Sequence, residues 1–130
     1  MSGDEVSPVV MDMAKRLMLL VRDAYPGWKE AYLRFSAHDL VSEVKASCVH
    51  GDGVDILDVA QHGHFFQLMG RQGQELMNAL GMKEGVFLLV VNAQYDYEIQ
   101  FERADMTRWR ISKLDGGTGV PAGFGVSSQA

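Results

Sequence analysis

A run of six consecutive apolar residues, 86–91 (VFLLVV), constrains the fold more than any other feature of this sequence. It is far too short to cross a bilayer, which takes about 20 such residues. Because successive side chains of a strand point to opposite faces, this run is apolar on both. The pattern predicts a central β-strand over Gly85–Asn92.

Two segments have the spacing of amphipathic helices. The first follows Ser7-Pro8, a pair typical of a helix N-terminus, and stops at Pro26-Gly27. The second ends near Gly81, a typical C-terminal glycine. The apolar residues that recur at three- and four-residue intervals are Val10, Met13, Ala14, Leu17, Val21 and Ala24, and then Phe65, Leu68, Met69, Leu76 and Leu80. Each set predicts one buried stripe.

Five further runs are strand-like, at residues 28–37, 41–50, 54–60, 95–103 and 107–114. In the third, Asp58 would follow Val54 and Ile56 inward, so we expect a bulge or an early end there. The resulting order is α-β-β-β-α-β-β-β. It predicts an α+β fold: an antiparallel sheet of about six strands with two helices on one face.

The last two runs predict a hairpin. The turn between them places Glu102 opposite Arg108 on one face and Phe101 opposite Trp109 on the other. In this register, Arg108 would neutralise part of the acidic face of the strand at residues 95–103.

The chain length of 130 residues suits a single domain, which we place at residues 1–114. From residue 115 onward the chain is mostly Gly, Ser, Thr and Ala. Such a segment buries too little apolar surface to order a standard element. Residues 115–130 are therefore predicted to be a Gly/Ser-rich flexible C-terminal tail.

The charge balance disfavours nucleic acid as a partner. Twelve Lys and Arg against seventeen Asp and Glu leave a net charge of -5 at pH 7. An acidic chain repels phosphate backbones and attracts basic proteins. The same charge could instead merely keep a small domain soluble. Both interpretations stay open.

The sequence also bears on the compartment. One cysteine, Cys48, excludes a disulfide within the chain and fits a reducing environment. Residues 1–6 carry Asp4 and Glu5 and lack the apolar run behind a basic region that marks a signal peptide. We therefore expect a cytoplasmic protein without a membrane partner.

No group of residues matches a complete catalytic site, which favours binding over catalysis. The Gly-x-Ser-x-Gly elbow is absent, and no helix follows the glycine-rich segment 116–119 to form a phosphate cradle. Cys48 shares a strand face with Val44 and Ala46, which predicts a packed, inert thiol. We expect neither enzymatic activity nor a cofactor.

The nearest approach to a metal site is Cys48 with His50, His62 and His64. Zinc accepts these residue types, but two i,i+2 pairs do not match a common structural-zinc spacing. A buried cysteine with solvated or capping histidines is the alternative, and the sequence favours it.

Two groups of carboxylates have few basic neighbours. Such groups can meet a basic protein surface, or can simply face water. The first group lies around the predicted third strand and the second lies beside an aromatic pair. The predicted partner-binding residues are Asp52, Asp55, Asp58, Tyr95, Asp96 and Glu98.

Two short motifs and the order of elements resemble YezG-like immunity proteins. Residues 27–33 (GWKEAYL) follow an amphipathic N-terminal helix, as at the start of that family, and residues 95–98 (YDYE) are similar to its aromatic-acidic strand. The resemblance spans about residues 9–112. It implies an antitoxin of polymorphic or contact-dependent secretion systems that binds and neutralises a cognate toxin domain, often a nuclease.

Two other functions fit the same pattern. One is a small secretion chaperone or adaptor, a class that is also acidic and α+β and is commonly dimeric. The other is a small-molecule-binding domain with a pocket lined by Trp28, Tyr32, Tyr95 and Tyr97. The sequence leaves the oligomeric state open.

Overall fold

The computed structural model describes residues 2–124. Within these residues, two helices, five strands and a short 3₁₀ helix follow one another. They are α1 (Ser2–Ala24), β1 (Trp28–His38), β2 (Val41–His50), β3 (Gly53–Ile56), α2 (Gly63–Ala79), β4 (Gly85–Asn92), β5 (Tyr97–Glu102) and the 3₁₀ helix Leu114–Gly116. Over these residues, neither helix combines the length and apolar character needed to cross a membrane.

The strands form one antiparallel sheet in the order β3-β2-β1-β4-β5. β1 lies at its centre, because it pairs with β2 on one side and with β4 on the other. The two-residue turn from β1 to β2 has Asp39 and Leu40 at φ 53 and 65, as a tight hairpin turn requires. The predicted α+β class with an antiparallel sheet and two helices is confirmed, with five strands rather than six.

Strand boundaries follow the local patterns closely in the centre of the sheet and less closely at its edges. β1, β2 and β4 match the predicted runs to within one residue. β3 stops at Ile56, the early end that the position of Asp58 suggested. β5 begins at Tyr97, two residues later than predicted, because the preceding residues form a turn.

Both helices pack on one face of the sheet, where they bury the main core. Alternate residues of β1 and β4 meet the apolar stripes of α1 and α2 there, and the Phe35 and Phe87 rings stack with centroids 5.1 Å apart. The buried members include Met13, Leu17, Val21, Leu33, Phe35, Met69, Leu76, Met77, Phe87, Leu89 and Val91.

The chain after β5 covers the opposite face, which we call the second face. Trp109 and Ile111 are 3% and 1% exposed and belong to a second buried cluster with Tyr32 and alternate residues of β4. Because β4 is apolar on both faces, other parts of the chain must pack on both faces to keep it from water. The predicted sixth strand at residues 107–114 is therefore wrong: turns and irregular chain take its place, with Trp109 at φ 61.

The predicted hairpin is wrong for the same reason, although one of its pairs forms. The Arg108 guanidinium lies 2.7 Å from the Glu102 carboxylate. Phe101, however, packs on the helix side, whereas Trp109 packs on the second face. The chain crosses the sheet after β5 instead of extending it.

Part of the predicted tail also packs on the second face. Pro121 is buried, and Val120 and Phe124 contact the second cluster. The Gly119 N–H donates to the Ser112 carbonyl at 3.1 Å, and the Ala122 N–H donates to that of Arg110 at 2.8 Å. Up to Phe124 the segment is thus anchored, which differs from a flexible tail. Residues 125–130 lie outside the described residues.

Candidate partner-binding surface

Three chain connections lie together at the end of the sheet where β1 begins. Trp28 is opposite His50, which brings the β2–β3 turn to this end. Glu30 is opposite Asn92, which brings the β4–β5 turn there as well. The α1–β1 loop at residues 25–27 is the third connection. We call this region the connection end.

The connection end is acidic. Its two turns are three strand spacings apart, or about 14 Å. Six acidic residues but only two basic ones lie within three residues of its connections. They are Asp23, Glu30, Asp52, Asp55, Asp96 and Glu98, against Arg22 and Lys29. The fold therefore brings together five predicted site residues from two separate parts of the sequence: Asp52, Asp55, Tyr95, Asp96 and Glu98.

The β2–β3 turn contributes two carboxylates with different surroundings. Asp55 Oδ2 lies 2.7 Å from His50 Nε2, and the Tyr25 ring packs on His50 with centroids 4.8 Å apart. Burial, followed by the charge of Asp55, raises the pKa of Tyr25, so this phenol stays neutral. Asp52 is exposed and has no side-chain partner among residues 2–124. Asp52 is therefore the more accessible of the two charges.

Asp58 does not join this group. It follows the far end of β3, where its Oδ1 accepts a hydrogen bond of 2.8 Å from the Ala60 N–H and its carbonyl accepts one of 3.1 Å from the His62 N–H. These contacts shape the turn that leads into α2. The side chain has a structural role there, as is common for Asp in turns.

The Asn92 side chain organises the β4–β5 turn. Its Oδ1 accepts hydrogen bonds from the N–H groups of Gln94 and Asp96 at 2.9 and 3.1 Å. Tyr95 has a φ of 67, a left-handed conformation uncommon outside glycine, and its side chain is 57% exposed. Strained residues of this kind often occur at functional sites. The turn thus presents an exposed aromatic side chain at the residue next to the exposed Asp96.

A shallow apolar groove of about 260 Å³ runs between α1 and β5. Its exposed apolar side chains are Met11, Leu19, Tyr95 and Tyr97, and Ala14, Lys15 and Met18 complete the lining. Sequence reasoning missed Met11 and Leu19. Both are apolar residues that lie outside the buried stripe of α1, and this position in the sequence could have identified them as exposed apolar residues.

The carboxylates of β5 differ in how far they are already paired. Glu102 Oε1 binds Arg108, and its Oε2 accepts the N–H groups of Ala104 and Asp105 at 3.0 and 3.1 Å. These contacts, the Arg108 hydrogen bond first, lower the pKa of Glu102 to about 2. Among the described residues, the one side-chain hydrogen bond to Glu98 comes from the Gln100 amide at 3.2 Å, and Glu98 forms no ion pair there. Glu98 therefore remains available to a partner.

The possible metal ligands Cys48, His50, His62 and His64 do not converge. Cys48 is buried, and burial followed by the nearby Asp55 raises its pKa to about 12. Within residues 2–124, only His38, Asp39 and Glu84 bring three ligand atoms close together, and all three are exposed. The two ring nitrogens of His38 lie 3.1 Å from the Asp39 carboxylate and 3.2 Å from the Glu84 carboxylate.

The aromatic pocket of the small-molecule alternative does not form. A bulge at Lys29 interrupts the β1–β2 register, and Trp28 lies in the helix-side core. Tyr32 is buried on the second face against Phe124, and its hydroxyl donates to Glu30 at 2.5 Å. Only Tyr95 and Tyr97 share a groove.

A polar pocket of about 440 Å³ on the second face has the opposite electrical character. Arg34, Lys45 and Arg110 line it together with one carboxylate, Glu43. Arg34 is 6% exposed, and its burial lowers its pKa although Glu43, 3.9 Å away, opposes that change. The basic residues thus concentrate away from the connection end.

No protein-family model matches this chain, and no curated protein sequence matches it. The geometry of the surface therefore carries the functional interpretation.

Proposed function

We propose that this protein is an immunity protein that acts in the cytoplasm, where it binds and neutralises a basic toxin domain through the connection end and the adjoining groove. The observation that carries the proposal is the convergence of the β2–β3 and β4–β5 turns, about 14 Å apart, into one acidic end with Tyr95 exposed beside Asp96. A standard protein interface covers about 800 Å² per partner, which is wide enough to include both turns.

The chemistry of this surface suits a protein partner. Buried aromatic anchors dominate binding energy in many interfaces, and Tyr95 and Tyr97 are exposed and adjacent here. The carboxylates of Asp52, Asp96 and Glu98 would steer a basic partner and speed its association. If the toxin is a nuclease, the basic surface covered in this way would be the one that contacts phosphates.

The test starts with capture of the partner. Tagged protein from the native cell should retain a protein with a basic toxin domain, and co-expression should protect cells from that domain. The double variant Asp52→Lys/Asp96→Lys should slow association at least about tenfold and weaken its dependence on salt. The matched control is Glu75→Lys/Glu84→Lys, which also reverses two exposed charges but lies away from the connection end. Capture of no toxin, or equal association rates for both variants, would contradict the proposal.

A secretion chaperone or adaptor is the alternative function. It predicts a dimer that binds secreted proteins, whereas an immunity protein predicts a one-to-one complex with its toxin. Light scattering of the purified protein and of the captured complex separates the two.

A further inference from the structure

Within residues 2–124, β5 is an edge strand, and no strand pairs with its outer backbone groups. The Asn92 N–H donates to the Asp96 carbonyl, and the Ala93 N–H donates to the Lys29 carbonyl on the other side of β4. Because hydrogen-bonding direction alternates along an antiparallel ladder, residues 98, 100 and 102 bond to β4. Tyr97, Ile99 and Phe101 therefore point their N–H and C=O groups outward, and within residues 2–124 no strand pairs with them.

The side chains of β5 divide between two faces. Ile99 and Phe101 pack against the helix-side core, and Tyr97 lines the groove with α1. Glu98 and Gln100 lie on the other side, toward the second face. Directly opposite residues of antiparallel strands share a face. A strand added to this edge would therefore place alternate side chains in the groove and opposite Glu98.

A second copy of this chain is poorly suited to that position. If two copies paired their β5 strands antiparallel about a two-fold axis, only two registers would pair most of β5 and also place residues of the same sheet face opposite each other. In one, Glu98 lies directly opposite Glu102 of the second copy, and this happens twice by symmetry. In the other, Asp96 lies opposite Glu102. In neither register does Glu98 or Asp96 meet a cation directly opposite, and the facing Glu102 is a carboxylate that Arg108 already binds, so these pairs do not stabilise the strand pair.

We infer that the β5 edge receives an extended segment of a protein partner by strand addition. The segment has basic side chains opposite Glu98 and apolar side chains in the α1–β5 groove. Main-chain hydrogen bonds supply affinity in this binding mode, and the alternate side-chain contacts supply specificity. The inference rests on the proposed function, because it specifies how the basic partner docks.

A synthetic peptide that alternates lysine and valine tests the edge without the natural partner. Its binding to the isotope-labelled protein is followed by NMR. Binding should shift the amides of Tyr97, Ile99 and Phe101, slow their hydrogen exchange, and shift the methyl groups of Met11 and Leu19. A matched peptide that alternates glutamate and valine should bind at least about tenfold more weakly, because like charges then meet at Glu98.

Two pairs of variants separate backbone pairing from charge. Tyr97→Pro and Tyr97→Ala both remove the ring, but only proline removes the outward N–H, at the first residue of a strand where proline is tolerated. Tyr97→Pro should bind the lysine-valine peptide about fivefold more weakly than Tyr97→Ala. Glu98→Lys should weaken binding, whereas Glu75→Lys should not. Unchanged amide shifts in β1 and β2, which do not pair with β5, would establish that each variant is folded.

Shifts confined to carboxylate-rich turns, without exchange protection at Tyr97, Ile99 and Phe101, would overturn the inference. So would equal binding of both peptides, or self-association of the protein through β5. These outcomes are separable from failure of the proposed function. A captured toxin that binds Tyr97→Pro and Tyr97→Ala equally well would refute strand addition alone, and a protein that binds the peptide but captures no toxin would refute the immunity role alone.

Discussion

Arg34 Nε donates a 2.8 Å hydrogen bond to the carbonyl oxygen of Arg108, 74 residues further along the chain. Its Nη2 also donates to the Met106 carbonyl, at 2.5 Å. A buried cation on β1 thus fastens the irregular segment that covers the second face. The Met106 and Arg108 carbonyls have no strand partner, so the Arg34 side chain supplies the hydrogen bonds that buried backbone groups require.

Loss of the Arg34 guanidinium should therefore release that segment. We expect Arg34→Met to lower the free energy of unfolding by about 2–4 kcal/mol, because two charge-assisted hydrogen bonds disappear and their acceptors stay partly buried. Arg110→Met, at an exposed residue of the same polar pocket, should cost less than about 1 kcal/mol. Urea denaturation measures both values. Similar losses for the two variants would show that the bonds from Arg34 do not hold the segment.

Gly73 sets the distance between α2 and β1. A Cβ at this position would lie 2.3 Å from the Phe35 ring, which is fully buried. Gly73→Ala should therefore destabilise the protein by about 1–3 kcal/mol despite the better helix propensity of alanine.

Gly70→Ala is the matched control for Gly73→Ala on the same helix. Its Cβ would meet only a Val44 methyl group at 3.9 Å, so the change should be neutral or stabilising by up to about 1 kcal/mol. Thermal unfolding of the two variants gives the comparison. Equal effects would mean that α2 can move away from the sheet at little cost.

Glu102 should make stability depend on pH in the acid range. Its pKa falls from the ordinary 4.5 to about 2 in the folded protein, chiefly through Arg108. The fold therefore favours the carboxylate. This contribution is fully present above about pH 4.5 and is lost as the pH falls toward 2.

Glu102→Gln should flatten the stability profile between those two pH values. Some acid dependence should remain, because hydrogen bonds also lower the pKa values of Asp12, chiefly from Arg16, and of Asp105, chiefly from Thr107. Chemical denaturation at a series of pH values measures the profile, with Glu75→Gln as the control. A wild-type profile that stays parallel to that of Glu102→Gln would contradict the assignment.

Cys48 should be unreactive in the folded state. Burial, followed by the nearby Asp55, raises the pKa of its thiol to about 12, so few thiolates exist at neutral pH. We expect iodoacetamide to modify native protein at least about a hundredfold more slowly than protein in urea. Mass spectrometry of timed samples measures both rates. Rapid labelling of the native protein would show that the helix-side core opens near β2.

The acidic residues of the connection end could be identified one by one from the sequence, but their position on a common surface could not. Asp52 and Asp96 are far apart in the sequence, and their local patterns show only that each lies near a turn. The antiparallel pairing of β1 with both β2 and β4 places those turns at one end. The sequence pattern grouped Asp58 with Asp52, but the two residues lie at opposite ends of β3. The Asp58 side chain also accepts a hydrogen bond from the Ala60 N–H, which holds it in the turn before α2.

By itself, the sequence determined the elements whose side-chain pattern is local: the apolar strand at Gly85–Asn92, the two strands at Trp28–His38 and Val41–His50, and the two amphipathic helices. Burial of one helix stripe, or of alternate strand positions, gives a periodic spacing of apolar residues that can be recognised within a short segment. Only the tertiary structure decided what covers the second face. Residues 107–114 alternate like a strand, yet Trp109 and Ile111 lie across the sheet, where they pack on the apolar side chains that β4 presents on the second face and where Arg34 holds the Arg108 carbonyl. These contacts join residues distant along the chain, so no local period encodes them.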